Sequence, residues 1–177
     1  MKTKFRAGLV LAGILSCGAV FFYCGASSRP MAAEDVITLL DEGWKPEGVV
    51  LLTCDDGTQR TPVQLVAAAY EPEAVQKLLE LGQSATLTTP EYPHTPLELC
   101  LKSLQYPPLR EDPEGVEYDG LAVLEILLTH GALPGKNARE LLPCDSAMHR
   151  RVVELFEQHG HYILAGDDSC NACCASE

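Results

Sequence analysis

Cys170, Cys173 and Cys174, in the terminal stretch AGDDSCNACCASE, are the residues whose types and spacing best suit covalent or metal chemistry. A thiolate is a nucleophile and a soft metal ligand, and a Cys-x-x-Cys pair brings two of them to one partner. Three uses compete. Disulfides among the three, or with Cys54, come first in a chain that leaves the reducing compartment. Metal capture, with His159 or His161 as a further ligand, comes second, because one Cys-x-x-Cys without a second pair is weak support for zinc. Thiol redox exchange comes last, since that motif works in a strand–helix setting that this polar tail lacks. The other titratable residues do not assemble into a reaction centre. His94, His130, His149, His159 and His161 are scattered among turns and helix ends, with no nucleophile–base pair, phosphate loop or paired carboxylates. The expectation is a protein that is not an enzyme and takes no cofactor. Its metal candidates are confined to Cys170, Cys173 and Cys174.

The opposite end of the chain bears on compartment. MKTKFR carries Lys2, Lys4 and Arg6, and no charge falls between Ala7 and Ala26. A basic start before an apolar run is the form of a secretory signal, and small Cys24 and Ala26 offer cleavage after Ala26. The same run is long enough to span a bilayer. Residues 1–26 therefore read equally as a signal peptide or a retained membrane anchor. A lipoprotein leader acting through Cys17 is weaker, because the GAVFFY that follows is unusually apolar. Under either main reading the positive-inside tendency places residues 27–177 outside the cytoplasm, periplasmic or extracellular. The membrane is then touched only through the N-terminal segment.

All 25 acidic residues follow position 26, against 10 Lys and Arg there, so this part carries a net charge of −15. Such acidity argues against nucleic acid, whose affinity rests on neutralising phosphates, and against anionic lipid. Solubility explains it most simply; recruitment of a basic partner is the alternative.

The elements are best seen in TPVQLVAAAYEPEAVQKLLELG, Thr61 to Gly82. Thr61 caps a helix that Pro62 opens without losing a hydrogen bond. Val63, Leu65, Val66 and Ala67-Ala68-Ala69 give it a narrow apolar surface. Glu71-Pro72 ends it, and a second helix starts at once, with acids at its positive end. Ala74, Val75, Leu78, Leu79 and Leu81 are its apolar side, and Gly82 suits a left-handed cap. A helical hairpin this small has no core of its own. It recurs. Thr61-Pro62-Val63-Gln64-Leu65 returns as Thr95-Pro96-Leu97-Glu98-Leu99, 34 residues on. The ending DVITLLDEG at Gly43 returns as AVQKLLELG at Gly82, VLEILLTHG at Gly131 and VVELFEQHG at Gly160. Stacking neighbours on the bare faces supplies the missing core.

Carried by TPVQLVAAA with EAVQKLLELG, by TPLELCLKSL and by VLEILLTHGA, the chain resembles the ankyrin-repeat family from Ala33 to about Tyr162. The resemblance implies an all-α ankyrin-repeat solenoid of about four helical-hairpin units across 33–162, with degenerate terminal units. A flexible cysteine-containing tail, 163–177, follows. The family's usual His two positions after the Pro is replaced by Gln64 and Glu98, which predicts looser turns. Asn137 is expected to cap a helix through Leu142 that Pro143 cuts short, and Asp145 or Ser146 to start the last helix. Between Gly43 and Gly57, Trp44 is expected to cover the end of the first unit, the alternative being a short extended finger with the CDDG turn.

Gly82 and Gly131 are 49 residues apart, where a regular unit needs about 33. The excess falls in LQYPPLREDPEGVEYDG, a long loop insertion over 104–120 between an inner helix, 96–103, and an outer one, 121–130. Its prolines, Pro107, Pro108 and Pro113, argue against a helix there. Loops this long are functional or disordered, and a tolerated surface insertion is the plainer reading. Cys100 and Cys144 fall at equivalent small-residue positions of stacked helices. A packing distance of ~8–10 Å exceeds what a disulfide spans, so buried free thiols are expected.

By the resemblance, function is protein–protein interaction by a monomer, through turn tips and inner helices. That points to Arg60, Gln64, Glu91, Tyr92, His94 and Glu98, with Tyr106, Arg110 and Tyr118 added by the insertion. Exposed aromatic and Arg residues are favoured interface anchors. The partner is a protein of unknown identity, not nucleic acid. The alternative is a metal- or thiol-handling protein acting through Cys170, Cys173 and Cys174.

Overall fold

The computed structural model describes residues 30–105, 113–135, 138–143 and 146–161, with side chains from 119 onward in the helix that starts at 113 and from 147 onward in the last helix. These residues are mostly helical: α1 Ala33–Asp41, α2 Pro62–Ala68, α3 Pro72–Glu80, α4 Pro96–Gln105, α5 Pro113–Thr129 and α6 Ser146–Gln158. Two short antiparallel strands, β1 Leu52–Thr53 and β2 Gln59–Arg60, pair Leu52 with Arg60 and Thr53 with Gln59. The alternative for 43–57 is the one seen, an extended finger around the CDDG turn with its second strand just beyond it, while Trp44 lies half-buried against the core.

The two Thr-Pro starts use the same chemistry. Thr61 Oγ accepts from Gln64 N at 3.1 Å while Gln64 Oε1 accepts from Thr61 N at 2.7 Å. Thr95 Oγ accepts from Glu98 N at 3.1 Å while Glu98 Oε2 accepts from Thr95 N at 3.0 Å. Each pair is a reciprocal capping box that satisfies two otherwise orphaned N–H groups.

The four glycine endings also share one geometry. Gly43, Gly82, Gly131 and Gly160 have φ of +89°, +84°, +80° and +78°. Each donates to the carbonyl three residues back (Leu40, Leu79, Leu128, Glu157), and the next residue donates to the carbonyl five back (Leu39, Leu78, Leu127, Phe156). This is the Schellman cap, whose left-handed residue is cheapest as glycine. A Cβ on Gly82 meets nothing within 4 Å, so only the backbone resists substitution. Gly82→Ala is expected to lose about 1 kcal/mol, read from the urea midpoint. Tyr70 closes α2 the same way at φ +59°, with Glu71 N donating to Val66 O.

Helices pair along the chain, α2 with α3 and α4 with α5, and across it, α2 with α4 and α3 with α5. Val66, Val75, Leu78, Leu97, Leu101, Val123, Leu124, Leu127 and Phe156 lie in one continuous buried cluster. Polar bonds join elements distant in the chain at a nearly constant offset. Lys77 Nζ donates to Leu40 O at 2.8 Å, Gln83 Nε2 to Gly48 O at 3.0 Å and Ser103 Oγ to Ala68 O at 3.1 Å.

Two local expectations fail. Part of 104–120 is helical: α4 runs to Gln105, and α5 begins at Pro113, eight residues before the expected outer helix at Leu121. Pro113 at a helix start removes no hydrogen bond, so it opens α5 instead of excluding it. Residues 106–112 lie outside the described residues. The expected helix up to Leu142 is instead a tight turn, in which Ala138, Leu141 and Leu142 N each donate to the carbonyl three residues back. Pro143 restricts the residue before it, and so short a segment cannot propagate a helix. Asn137 lies outside the described residues.

Candidate functional site

The finger places one cluster of side chains. Gly57, at φ +77°, turns the chain between the strands, and its N–H donates to Cys54 O at 3.0 Å. Asp56 Oδ1 accepts from Thr58 N at 2.9 Å and from Thr58 Oγ at 2.6 Å, an Asx turn that locks the tip. Arg60 leaves β2 on the same side. Its Nη2 pairs with Asp56 Oδ2, and its Nε donates to Thr58 Oγ at 3.2 Å.

The next turn docks on β2. Thr89 Oγ donates to Gln59 O at 2.7 Å, and Glu91 Oε2 accepts from Gln59 N at 3.1 Å. An edge strand that would expose both groups is thereby covered. Thr89 O also accepts from Tyr92 N at 3.1 Å, which sets the Tyr92 ring under Arg60. The guanidinium carbon lies 4.0 Å from the Tyr92 ring centroid, and the His94 ring meets Tyr92 edge-on at 5.5 Å. Asp56, Arg60, Tyr92 and His94 form one ladder across two adjacent tips. Stacking of this kind is worth about 0.5–1 kcal/mol where water reaches it.

Of the residues expected at an interface, Arg60, Glu91, Tyr92 and His94 are brought together here. Gln64 and Glu98 are not surface anchors. Gln64 has no exposed surface and Glu98 retains 7%. Gln64 Nε2 donates to His94 O at 2.7 Å, with Tyr92 O at 3.4 Å, so the residue fastens the neighbouring tip. The looser turn expected from replacing His does not arise at Gln64, because an amide supplies both the acceptor for Thr61 N and the donor for His94 O. Tyr106 and Arg110 lie outside the described residues, as do Cys144 and the tail with Cys170, Cys173 and Cys174. Tyr118 belongs to α5 and not to a loop.

Asp56 and Thr58 were not singled out as site residues. The signal was present as Asp-Gly-Thr, the spacing at which an Asp side chain bonds the backbone two residues on. The Thr58 side-chain and backbone bonds, with Arg60 beside them, hold the Asp56 carboxyl below the ordinary Asp range. A depressed carboxylate contributes stability above its unfolded pKa of about 4 and loses it as pH falls through the folded value. Thr58→Val should raise the Asp56 midpoint toward the ordinary range, read by carbon-13 NMR titration.

The thiols of Cys54 and Cys100 are buried and free. Burial pushes the Cys54 thiol up, with Arg60 opposing, and pushes Cys100 up much further. Neither is a thiolate near neutral pH, so both act as small apolar groups. His130 and His149 are engaged with backbone, their Nδ1 atoms 2.9 Å from Ile126 O and 3.3 Å from Pro143 O. Among the described residues no three His, Cys, Asp or Glu side chains converge as metal ligands, and no helix is long and apolar enough to cross a membrane. Residues 1–26 lie outside the described residues.

No family model, curated protein or solved structure matches the chain.

Proposed function

We propose that residues 33–162 are a short ankyrin-repeat solenoid that binds another protein, as a monomer exported from the cytoplasm or tethered to the membrane by residues 1–26. Support for the solenoid comes from the shared capping boxes, the shared glycine caps and the near-constant offset of the bonds between distant elements. The caps are what a repeat sets within a unit, and the offset bonds are what it sets between neighbours. The observation that carries the binding function is the Asp56–Arg60–Tyr92–His94 ladder. It joins two adjacent tips and sets an Arg and two rings at the surface in fixed positions. Arg and Tyr are the residues most often found as interface anchors, and rigid placement lowers the entropy lost on association. No step of bond making is assigned to the chain.

The test is a cross-linking pull-down from native cells with the tagged full-length chain. One enriched protein, lost with Tyr92→Ala or Arg60→Ala but retained with Glu154→Gln, is the expected result. Equal recovery with all three variants removes the ladder from the interface. No enriched protein, with export intact, ends the reading.

A further inference from the structure

Two residues of the ladder, Asp56 and Arg60, also line an open surface cavity. The cavity holds about 280 Å³ between the finger and the start of α1, and is lined by Met31, Cys54, Leu65, Asp55, Asp56 and Arg60. That is below the usual range for cofactor pockets and suits a single inserted side chain. Its walls are of two kinds. Met31, Cys54 and Leu65 are apolar, the thiol included, since burial keeps it protonated. The carboxylates of Asp55 and Asp56 stand at the exposed rim.

The charges do not cancel. Arg60 is already committed to Asp56 on one side and to the Tyr92 ring on the other. Asp55 adds a second carboxylate without a second cation among the lining residues. At the start of α1, Ala32 N donates to Asp35 Oδ2 at 2.9 Å, which sets a third carboxylate against that helix end. An anion would meet the two carboxylates of Asp55 and Asp56. A long cationic side chain fits both walls, its methylene stem on the apolar floor and its charged head at the rim. The strong net acidity after residue 26 favours the approach of a basic segment.

We infer that this cavity receives an arginine or lysine side chain of the protein partner, whose segment then continues across Arg60 and Tyr92. This rests on the interaction-module reading and adds to it the chemical class of what is bound. Arg29 of the chain itself is the competing occupant, being two residues from Met31.

The experiment uses the full-length chain in zwitterionic detergent and two probes, N-acetyl-arginine amide and its neutral isostere N-acetyl-citrulline amide. Binding is followed by amide shifts of Met31, Gly57 and Leu65. The arginine probe should bind about two- to five-fold more tightly, the range for an exposed ion pair. Asp55→Asn should abolish that preference, and Glu154→Gln, an acid of α6 outside the lining, should leave it intact. Equal binding of the two probes overturns the inference, as does a preference that survives Asp55→Asn. Arg29→Gln should change nothing; a several-fold gain in affinity would assign the cavity to Arg29 and also overturn it. In the pull-down, a partner lost with Tyr92→Ala but unaffected by Asp55→Asn leaves the ladder standing and removes the cavity.

Discussion

Gln64→Ala is expected to cost about 3 kcal/mol of folding stability, a large share of what a domain of this size has. The side chain is fully buried, and its amide closes the cap at Thr61 N while holding His94 O of the next turn. Alanine removes the amide and leaves that N–H and that carbonyl without partners. A buried polar group left unsatisfied costs about 1–3 kcal/mol, which exceeds the net worth of the bond itself. Gln64→His, which restores the residue the resembled family uses, should recover about half of the loss, since imidazole offers one donor and one acceptor. Urea unfolding of the full-length chain measures both. Hydrogen exchange locates the damage: the Tyr92 amide should exchange faster in the alanine variant even where the fold persists. An alanine variant as stable as wild type would mean that the amide holds neither group. The same substitution reaches function, because the backbone that Gln64 fastens carries the Tyr92 and His94 rings.

How much could be read from the chain depended on whether a residue acts within its own hairpin or on the next one. Thr61, Thr95, Gly43, Gly82, Gly131 and Gly160 act locally, through bonds three to five residues away, and their types announced the helix ends. Gln64 was legible as a departure from a pattern but not as the bond that replaces it, since the acceptor lies 30 residues on. Arg60, Tyr92 and His94 could be named from tip position and residue type. That Arg60 stacks on Tyr92 depends on the docking of Thr89 and Glu91 against Gln59, which no local pattern encodes. Pro113 misled for a related reason. Proline reads as a breaker inside a helix and as a starter at its first turn, and which applies depends on where the helix begins. With Gly115 and Gly120 nearby, local propensity gives no reason to start there. Packing of the following turns decides.

At Gly120 that packing is close, and its replacement should have the second large effect. A Cβ at this position would sit 2.6 Å from Leu104 Cδ2 and 3.2 Å from Tyr70 Cε1. Its carbonyl is also the acceptor nearest the Cys100 thiol, at 3.4 Å. Two effects oppose each other on substitution. Alanine in place of glycine inside a helix gains about 1 kcal/mol, and overpacking a filled core costs about 1–3 kcal/mol. Leu104 and Tyr70 are both buried, so neither has free room into which to move. Overpacking should win. Gly120→Ala is expected to lose about 1 kcal/mol net, and Gly120→Val about 3 kcal/mol, because its branched side chain is stiff as well as larger. A double-mutant cycle with Leu104→Ala tests the contact itself: opening that space should make Gly120→Ala less harmful than it is alone. Strict additivity, or a Gly120→Ala variant more stable than wild type, would show that α5 does not lie against α4 at this point. The early start of α5 would then need a different neighbour to hold it.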